Sequence, residues 1–314
     1  MAHKRSIPVV SIPDFDAGDA SSREKFIQDL GSAFHDIGFV GVVNHGVSPA
    51  LIKSFYAASK EFFALPTETK QKYEFKESGG QKGYTSFGTE HAKQSEHADL
   101  KEFFQIGRET EEMTTDERNP RVQEVPTFVD LGIELYRAFE KAGGILLKAI
   151  AIHLGLGEDY FTDKIENGIS ILRAIHYPPI TTEPKSAIRA EQHEDINLIT
   201  LLVGASAGGL QLLDANGEWQ DVTPENDEIV INVGDMLQRL TNNYLKSTTH
   251  RVVNPPREEW DQPRLSIPFF LHPKPQTSLD VLDCCITDEN PKQYPPIKAI
   301  EFLHQRLREI GLMK

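Results

Sequence analysis

The chain is short of several things, and each shortage closes off a class of protein. Only two of its 314 residues are cysteine, Cys284 and Cys285, and they are neighbours, so no disulfide framework can tie distant segments together. No stretch approaches the roughly 20 apolar residues needed to cross a bilayer. The opening MAHKRSIPVVSIPDFD has no apolar run of the kind a secretory signal needs, so a reducing cytoplasm is the expected compartment. Basic charge is scarce: 33 lysines and arginines stand against 47 acidic residues, a net charge of −14. Broad attraction to nucleic acid or to anionic lipid is therefore disfavoured, and a small-molecule partner is expected. The basic stretch Lys70–Lys76 reads as a solvated helix face in that acidic background. There is no fixed-period repeat and no low-complexity linker. What remains, 39% hydrophobic and 25% charged residues, is globular composition and argues against disorder.

Periodicity divides the chain in two. Ile7–Ile12 is apolar and β-branched and predicts a strand, with Pro13 and residues 14–19 as a turn. Ser21-Ser22-Arg23-Glu24 has the form of a capping box. Phe26, Leu30 and Phe34 behind it mark one face of a helix that Gly38 ends. Phe39–Val43 reads as a strand closed by Asn44-His45-Gly46. Helices follow from about Pro49 to Leu65, stopped by Pro66, and from about Pro126 to Leu154. Between them the polar segment from Glu77 to about Val125 lacks periodicity, which predicts a long functional or mobile loop. The second half is a series of short apolar runs: Ile169–Tyr177, Leu198–Val203, Gly209–Leu213, Glu228–Val233, His250–Val253 and Leu265–Leu271, separated by turn residues. Such a series predicts a sandwich or barrel. A last helix is expected over about Ile297 to Ile310. The reading is a single catalytic domain, mainly β with flanking α: 1–165 mostly helical, 166–275 the β core, and 276–314 a C-terminal helical extension.

Most of the 11 histidines need no function. His35, His153 and His304 fall in helical stretches and read as surface residues; His91 and His97 fall in the polar segment, where solvent is the expected partner. His193 and Asp195 differ. They stand two apart, just before the apolar run Ile196–Val203. Residues i and i+2 of a strand share a face, so the imidazole and the carboxylate can converge on one ion. His250, opening a later strand, can supply a third ligand. Two imidazoles and one carboxylate leave three positions of an octahedron open, which suits iron(II); zinc would tend toward four ligands with one water. By itself, the His-x-Asp pair reads equally well as a hydrogen bond at a strand end.

Motif order adds to this. His193-Glu194-Asp195, His250-Arg251-Val252 and Arg264-Leu265-Ser266 resemble the H-x-D … H-R-V … R-x-S series of the iron(II)/2-oxoglutarate-dependent dioxygenases. Residues 7–13, Gly38-Phe39, Asn44-His45-Gly46-Val47, Leu65-Pro66 with Lys70 and Lys72, Gly208-Gly209-Leu210-Gln211 and Val233-Gly234-Asp235 are similar to the isopenicillin N synthase-like branch, in order along nearly the whole chain. The resemblance implies a double-stranded β-helix, or jelly roll, with helices packed outside. It implies iron(II) on His193, Asp195 and His250, with 2-oxoglutarate and dioxygen as cosubstrates and ascorbate as a candidate reductant. Arg264 and Ser266 match the pair that grips the distal carboxylate of 2-oxoglutarate. Tyr177 matches a tyrosine that helps hold it. Ile175 is a departure, because plant members often carry Asn there. The implied reaction is oxidative decarboxylation of 2-oxoglutarate coupled to hydroxylation, desaturation or cyclisation of a small organic substrate. Candidate substrate contacts are Tyr84, Phe104 and Phe270, the last because it lies six residues beyond Arg264 on one strand face; core packing is the competing reading for all three. Three other readings stay open: an iron oxidase of the isopenicillin N synthase type that uses no 2-oxoglutarate, a zinc hydrolase on the same ligands, and a non-catalytic metal-binding jelly-roll module.

Overall fold

The computed structural model describes residues 7–75, 81–90, 98–184, 186–204, 206–225, 227–309 and 312–313. In chain order the elements are β1 (Val9–Ser11), α1 (Ile12–Asp16), α2 (Ala20–Asp36), β2 (Phe39–Val43), α3 (Pro49–Phe63), α4 (Thr67–Gln71), β3 (Gly83–Thr85), β4 (Glu102–Gly107), α5 (Thr127–His153) and α6 (Thr162–Ile165). The second half holds β5 (Ile171–Tyr177), β6 (Ala190–His193), β7 (Ile199–Val203), β8 (Leu210–Leu213), β9 (Trp219–Asp221), β10 (Ile229–Val233), α7 (Asp235–Leu240), β11 (His250–Val252), β12 (Arg264–Leu271) and α8 (Ala299–Glu309).

Two sheets face one another. The larger has the order β1-β2-β10-β7-β12-β5-β4-β3 and the smaller β6-β11-β8-β9. All neighbours are antiparallel except β1 and β2. One small apolar cluster draws on both sheets: Phe39, Phe103, Ile175, Tyr177 and Val230 from the large one, Ala190, Leu210, Leu212 and Val252 from the small one. That shared interior makes the pair a jelly roll. The main core lies on the other side of the large sheet, where α5 crosses β4, β5, β7 and β12, and α2 and α3 pack on α5. Phe55 and Phe62 both stack on Phe128 there, with ring centroids 5.5 and 5.0 Å apart.

Strand alternation decides which residues face which side. In β12, Leu265, Ile267, Phe269 and Leu271 belong to the helix-side core, while Arg264, Ser266, Pro268 and Phe270 line the interior. In β5, Leu172 and Ala174 go to the core, while Ile171, Arg173, Ile175 and Tyr177 line the interior. A strand buried on both faces thus carries chemistry on one of them.

Several local expectations are corrected. Pro13 opens α1, where its missing N–H costs nothing, instead of marking a turn. The cap of α2 is Asp19, which accepts the Ser22 N–H at 2.8 Å, and not Ser21 or Ser22. Gly38, at φ +76°, makes the turn from α2 into β2, and a Cβ there would fall 2.3 Å from the Lys246 carbonyl oxygen. The segment 77–125 is no simple loop: it carries β3 and the fully buried β4. Lys70 is not solvated; it is 6% exposed and pairs with Glu102 at 2.7 Å. The strand β9 and the helix α7 are additional to the elements expected from the sequence. His91 and His97 lie outside the described residues. No helix among the described residues is long and apolar enough to cross a membrane.

Candidate metal and cosubstrate site

The interior holds a cavity of about 840 Å³. On its small-sheet wall, His193 ends β6 and His250 begins β11, and the two are cross-strand partners. Asp195 lies just past the end of β6, in the loop toward β7, so the same-strand geometry expected for the pair holds only for His193. The three side chains each offer one ligand atom, all within 4.8 Å of one another. Asp195 Oδ1 lies 3.9 Å from His193 Nε2 and 3.8 Å from His250 Nε2.

Each donor is oriented by a second partner. His193 Nδ1 donates to the Glu191 carbonyl at 2.6 Å and His250 Nδ1 to the Thr248 carbonyl at 3.1 Å. A carbonyl only accepts, so the protons sit on Nδ1 and both Nε2 lone pairs point inward. Asp195 Oδ2 accepts from Thr200 Oγ1 at 2.5 Å and from Asn232 Nδ2 at 2.8 Å, which leaves Oδ1 for an ion. The Phe39 ring packs edge-on to His250 at 5.6 Å. Burial, with His250 beside it, pushes His193 down to about 4, so it is a neutral ligand at neutral pH. Burial opposes ionisation of Asp195, but His250, His193, Asn232 and Thr200 together hold its carboxyl below the usual range. Two imidazoles and one carboxylate on one face fit iron(II).

The facing wall belongs to β5 and β12. Arg264 stands opposite Tyr177, and Ser266 opposite Ile175. Arg264 is 1% exposed and has no carboxylate partner among the described residues. Its Nε donates to the Ala207 and Gly208 carbonyls, both at 3.1 Å, and its buried Nη1 has no partner among the described residues. A buried guanidinium with an unused N–H is costly unless an anion completes it, which fits a bound carboxylate. Tyr177 lies under it, its ring centroid 5.0 Å from the guanidinium carbon. Ile175, across from Ser266, adds no hydrogen bond to this wall.

The candidate substrate contacts separate. Phe270 lines the cavity. Tyr84 and Phe104 do not: both sit in the helix-side core, where Tyr84 donates to Glu102 and packs on Phe62, and Phe104 packs on Phe62 and Phe128. Parity in β4 explains the correction, since it turns Phe104 toward α5 and its neighbours Phe103 and Gln105 inward.

Sequence reasoning also missed a buried polar wall. Lys101 Nζ bridges Glu90 at 2.6 Å and Asp99 at 2.7 Å. Arg173 reaches Glu90 at 3.2 Å and Gln105 at 2.9 Å. Burial alone would lift Glu90, but Arg173 and Lys101 hold it near 2. Burial alone would depress Lys101, but Glu90 and Asp99 keep it above the ordinary lysine value. His272 continues the Arg264–Phe270 parity, and burial pushes it down to about 4. Arg189 is a second buried arginine, 2% exposed, 6.0 Å from the Tyr177 ring. Finally, α8 closes one side: Leu303, Arg306 and Leu307 line the cavity, and Arg306 pairs at 3.0 Å with Asp235, whose N–H donates to the Asp195 carbonyl at 2.7 Å. Some signals were visible. Thr200 and Asn232 are polar residues inside apolar strand runs, and Arg173 and His272 follow from counting by twos from Tyr177 and Arg264.

Residues 168–273 match the family model of the 2OG-Fe(II) oxygenase superfamily, and residues 7–127 match the model described as non-haem dioxygenase in morphine synthesis N-terminal. The 2-oxoglutarate-Fe(II) type oxidoreductase hxnY of Emericella nidulans is 30% identical, over 92% of this chain and 86% of that one. The chain belongs to the 2OG-Fe(II) oxygenase superfamily. It is an oxidoreductase that uses iron(II), 2-oxoglutarate and dioxygen. A 2OG-Fe(II) oxygenase family protein from Caulobacter crescentus shares 42% identity at a TM-score of 0.86, covering 98% of this chain and 99% of that one. A full-length Neurospora crassa protein, solved in complex with alpha-KG and thymine, shares 29% identity at a TM-score of 0.87, covering 98% of each chain.

Proposed function

We propose that His193, Asp195 and His250 hold the iron, that Arg264, Ser266 and Tyr177 hold the distal carboxylate of 2-oxoglutarate, and that the substrate is a small organic molecule bound in the cavity between them. The observation that carries this reading is the buried Arg264 guanidinium, with one N–H unused, facing the same cavity as three convergent metal donors. A non-catalytic metal-binding module would have no use for it.

The bound iron and cosubstrate supply oxidative decarboxylation of 2-oxoglutarate by dioxygen, coupled to oxidation of the substrate. The rest is the work of side chains. Arg264 offers a planar fork that a carboxylate fills with two charge-assisted hydrogen bonds, and its own Nε bonds to Ala207 and Gly208 stop the fork from turning. Ser266, two residues on, shares the face and supports the same anion. Thr200 and Asn232 occupy one oxygen of Asp195 and so fix which one the metal meets. Phe39 and Val252, with α8 on the flank, give the cavity its apolar lining near the metal donors. The thymine complex of the Neurospora relative supports a substrate of modest size.

Anaerobic addition of iron(II) and then 2-oxoglutarate, followed by visible absorption, tests the reading. Chelation of iron(II) by the 2-oxo acid gives a weak charge-transfer band. The band should need much more cosubstrate in Arg264→Ala and should be absent in His193→Ala. Iron binding without a band would instead select the oxidase of the isopenicillin N synthase type.

A further inference from the structure

The register of the large sheet arranges the cavity wall in rungs. Tyr177 lies opposite Arg264, and Ile175 lies between Ser266 and Phe103. The next inward position on β5 is Arg173, opposite Gln105, and the one after is Ile171, opposite Phe270. At about 3.3 Å per residue, Arg173 stands about 7 Å beyond the Ser266 rung, on the side away from Arg264. The cosubstrate residues fill the first two rungs. Nothing in the metal chemistry uses the third and fourth.

The third rung is equipped to bind something. The Arg173 guanidinium is held between two aromatic rings, 4.1 Å from the Phe103 centroid and 5.1 Å from that of Phe270. Its Nε and Nη1 are committed to Gln105 and Glu90. Its Nη2 makes no hydrogen bond among the described residues, and the side chain, 12% exposed, lines the cavity. Glu90 also takes Lys101, so the two cations and the two anions Glu90 and Asp99 balance. A wall whose charge is already balanced has no need of a counter-ion. It offers a directed donor pair on a rigid mount, beside the Phe270 ring that lines the same cavity.

Resting on the function proposed above, we infer that Arg173 and Phe270 form the substrate-recognition subsite. Its ligand is a small planar molecule with an sp² oxygen acceptor on its edge, a conjugated carbonyl or a carboxylate. The acceptor meets Arg173 Nη2 and the ring lies against Phe270. Glu90 and Gln105 are positioning residues: they hold the guanidinium and do not touch the ligand.

The experiment is anaerobic calorimetry on the protein loaded with iron(II) and 2-oxoglutarate, with three probes. Thymine carries conjugated carbonyls, benzoate a carboxylate, and aniline is a planar ring without an oxygen acceptor. Thymine or benzoate should bind at millimolar concentration, and which of them binds tells the neutral acceptor from the anionic one. Aniline should bind at least about tenfold more weakly, the worth of one hydrogen bond to a charged group. Arg173→Leu should weaken the preferred probe about tenfold or more, with Arg173→Lys in between, and Phe270→Leu should weaken all three probes. The charge-transfer band in the same samples shows that each variant is folded. If neither oxygen-bearing probe binds the wild type, or if Arg173→Leu binds them as well as the wild type does, the subsite is refuted while the cosubstrate reading stands. If the wild-type band is missing, the cosubstrate reading fails instead, and the same titrations on the iron(II) protein decide the subsite.

Discussion

Replacing Thr200 by valine removes one hydrogen bond from Asp195 without changing side-chain volume much, and replacing Asn232 by leucine removes the other. Both bonds end on Oδ2, at 2.5 and 2.8 Å, and both donors are buried. A hydrogen bond to a charged group contributes about 1.5–3 kcal/mol, and each 1.4 kcal/mol is about a tenfold change in affinity. Part of that energy is lost to the apo-protein as well, because the carboxylate is ionised with or without a metal. The net effect on the metal is therefore about tenfold per variant, at the low end of the 10–100-fold range for partners of metal ligands. The two donors share one oxygen, so their effects should couple: in the double variant Asp195 is free to turn, and the loss should exceed the sum of the singles. Cobalt(II) is a convenient spectroscopic substitute, since its visible bands report coordination number and it tolerates air. Titration with cobalt(II), alongside thermal melts of the apo-proteins, separates metal affinity from folding. If Thr200→Val and Asn232→Leu both bind cobalt(II) within about twofold of the wild type, these groups do not orient Asp195 and the argument fails.

Two further outcomes follow from the buried charges. Lys70→Met leaves Glu102 without its cation in a site 5% exposed, and should destabilise the fold by about 3–5 kcal/mol in urea unfolding; the double variant Lys70→Met/Glu102→Leu should recover only part of this, because Tyr84 and His176 also bond to Glu102. A loss under about 1 kcal/mol in Lys70→Met would refute it. Glu90 gives a pH prediction. Its folded value, near 2, lies below its ordinary 4.5, so on acidification the unfolded chain takes up the proton first. The stabilisation is whole above about pH 4.5 and is lost as pH falls toward 2. The melting temperature of Glu90→Gln should accordingly fall less steeply than that of the wild type across that window, and parallel curves would show that Glu90 contributes nothing there.

The parts of this molecule that were legible in the sequence share a property: their chemistry repeats along the chain in the same form as in space. The helices α2, α3 and α5 show their apolar face at regular spacing, and β5, β7, β10 and β12 are apolar runs between turns. His193, Asp195, His250, Arg264 and Ser266 were found together because their order and spacing match a family pattern. What was illegible depends on pairing. Lys70, Glu90, Asp99, Lys101 and Glu102 look like surface residues one at a time. They are buried because each has its opposite nearby in space, and that partner lies up to 83 positions away in sequence. For the same reason β4 was hidden: its burial is that of a central strand, but the charged and polar residues around and within it mask the apolar signal. Tyr84 and Phe104 were placed at the cavity because an aromatic in a polar segment looks exposed. Only the pairing of β4 with β5 shows that its even-numbered positions turn toward α5 at Phe104.

The alternation in β12 has a consequence for how such a protein can change. Its odd-numbered residues, 265 to 271, belong to the core that holds the molecule together, and its even-numbered ones, 264 to 270, face the reaction. Insertion or deletion of one residue in this strand would turn every side chain beyond it to the opposite face, putting the aliphatic residues into the cavity and the polar ones against α5. Both stability and chemistry would be lost at one step. Descent with new specificity is therefore restricted here to point substitution, at every second position, in a strand whose length has to be inherited unchanged.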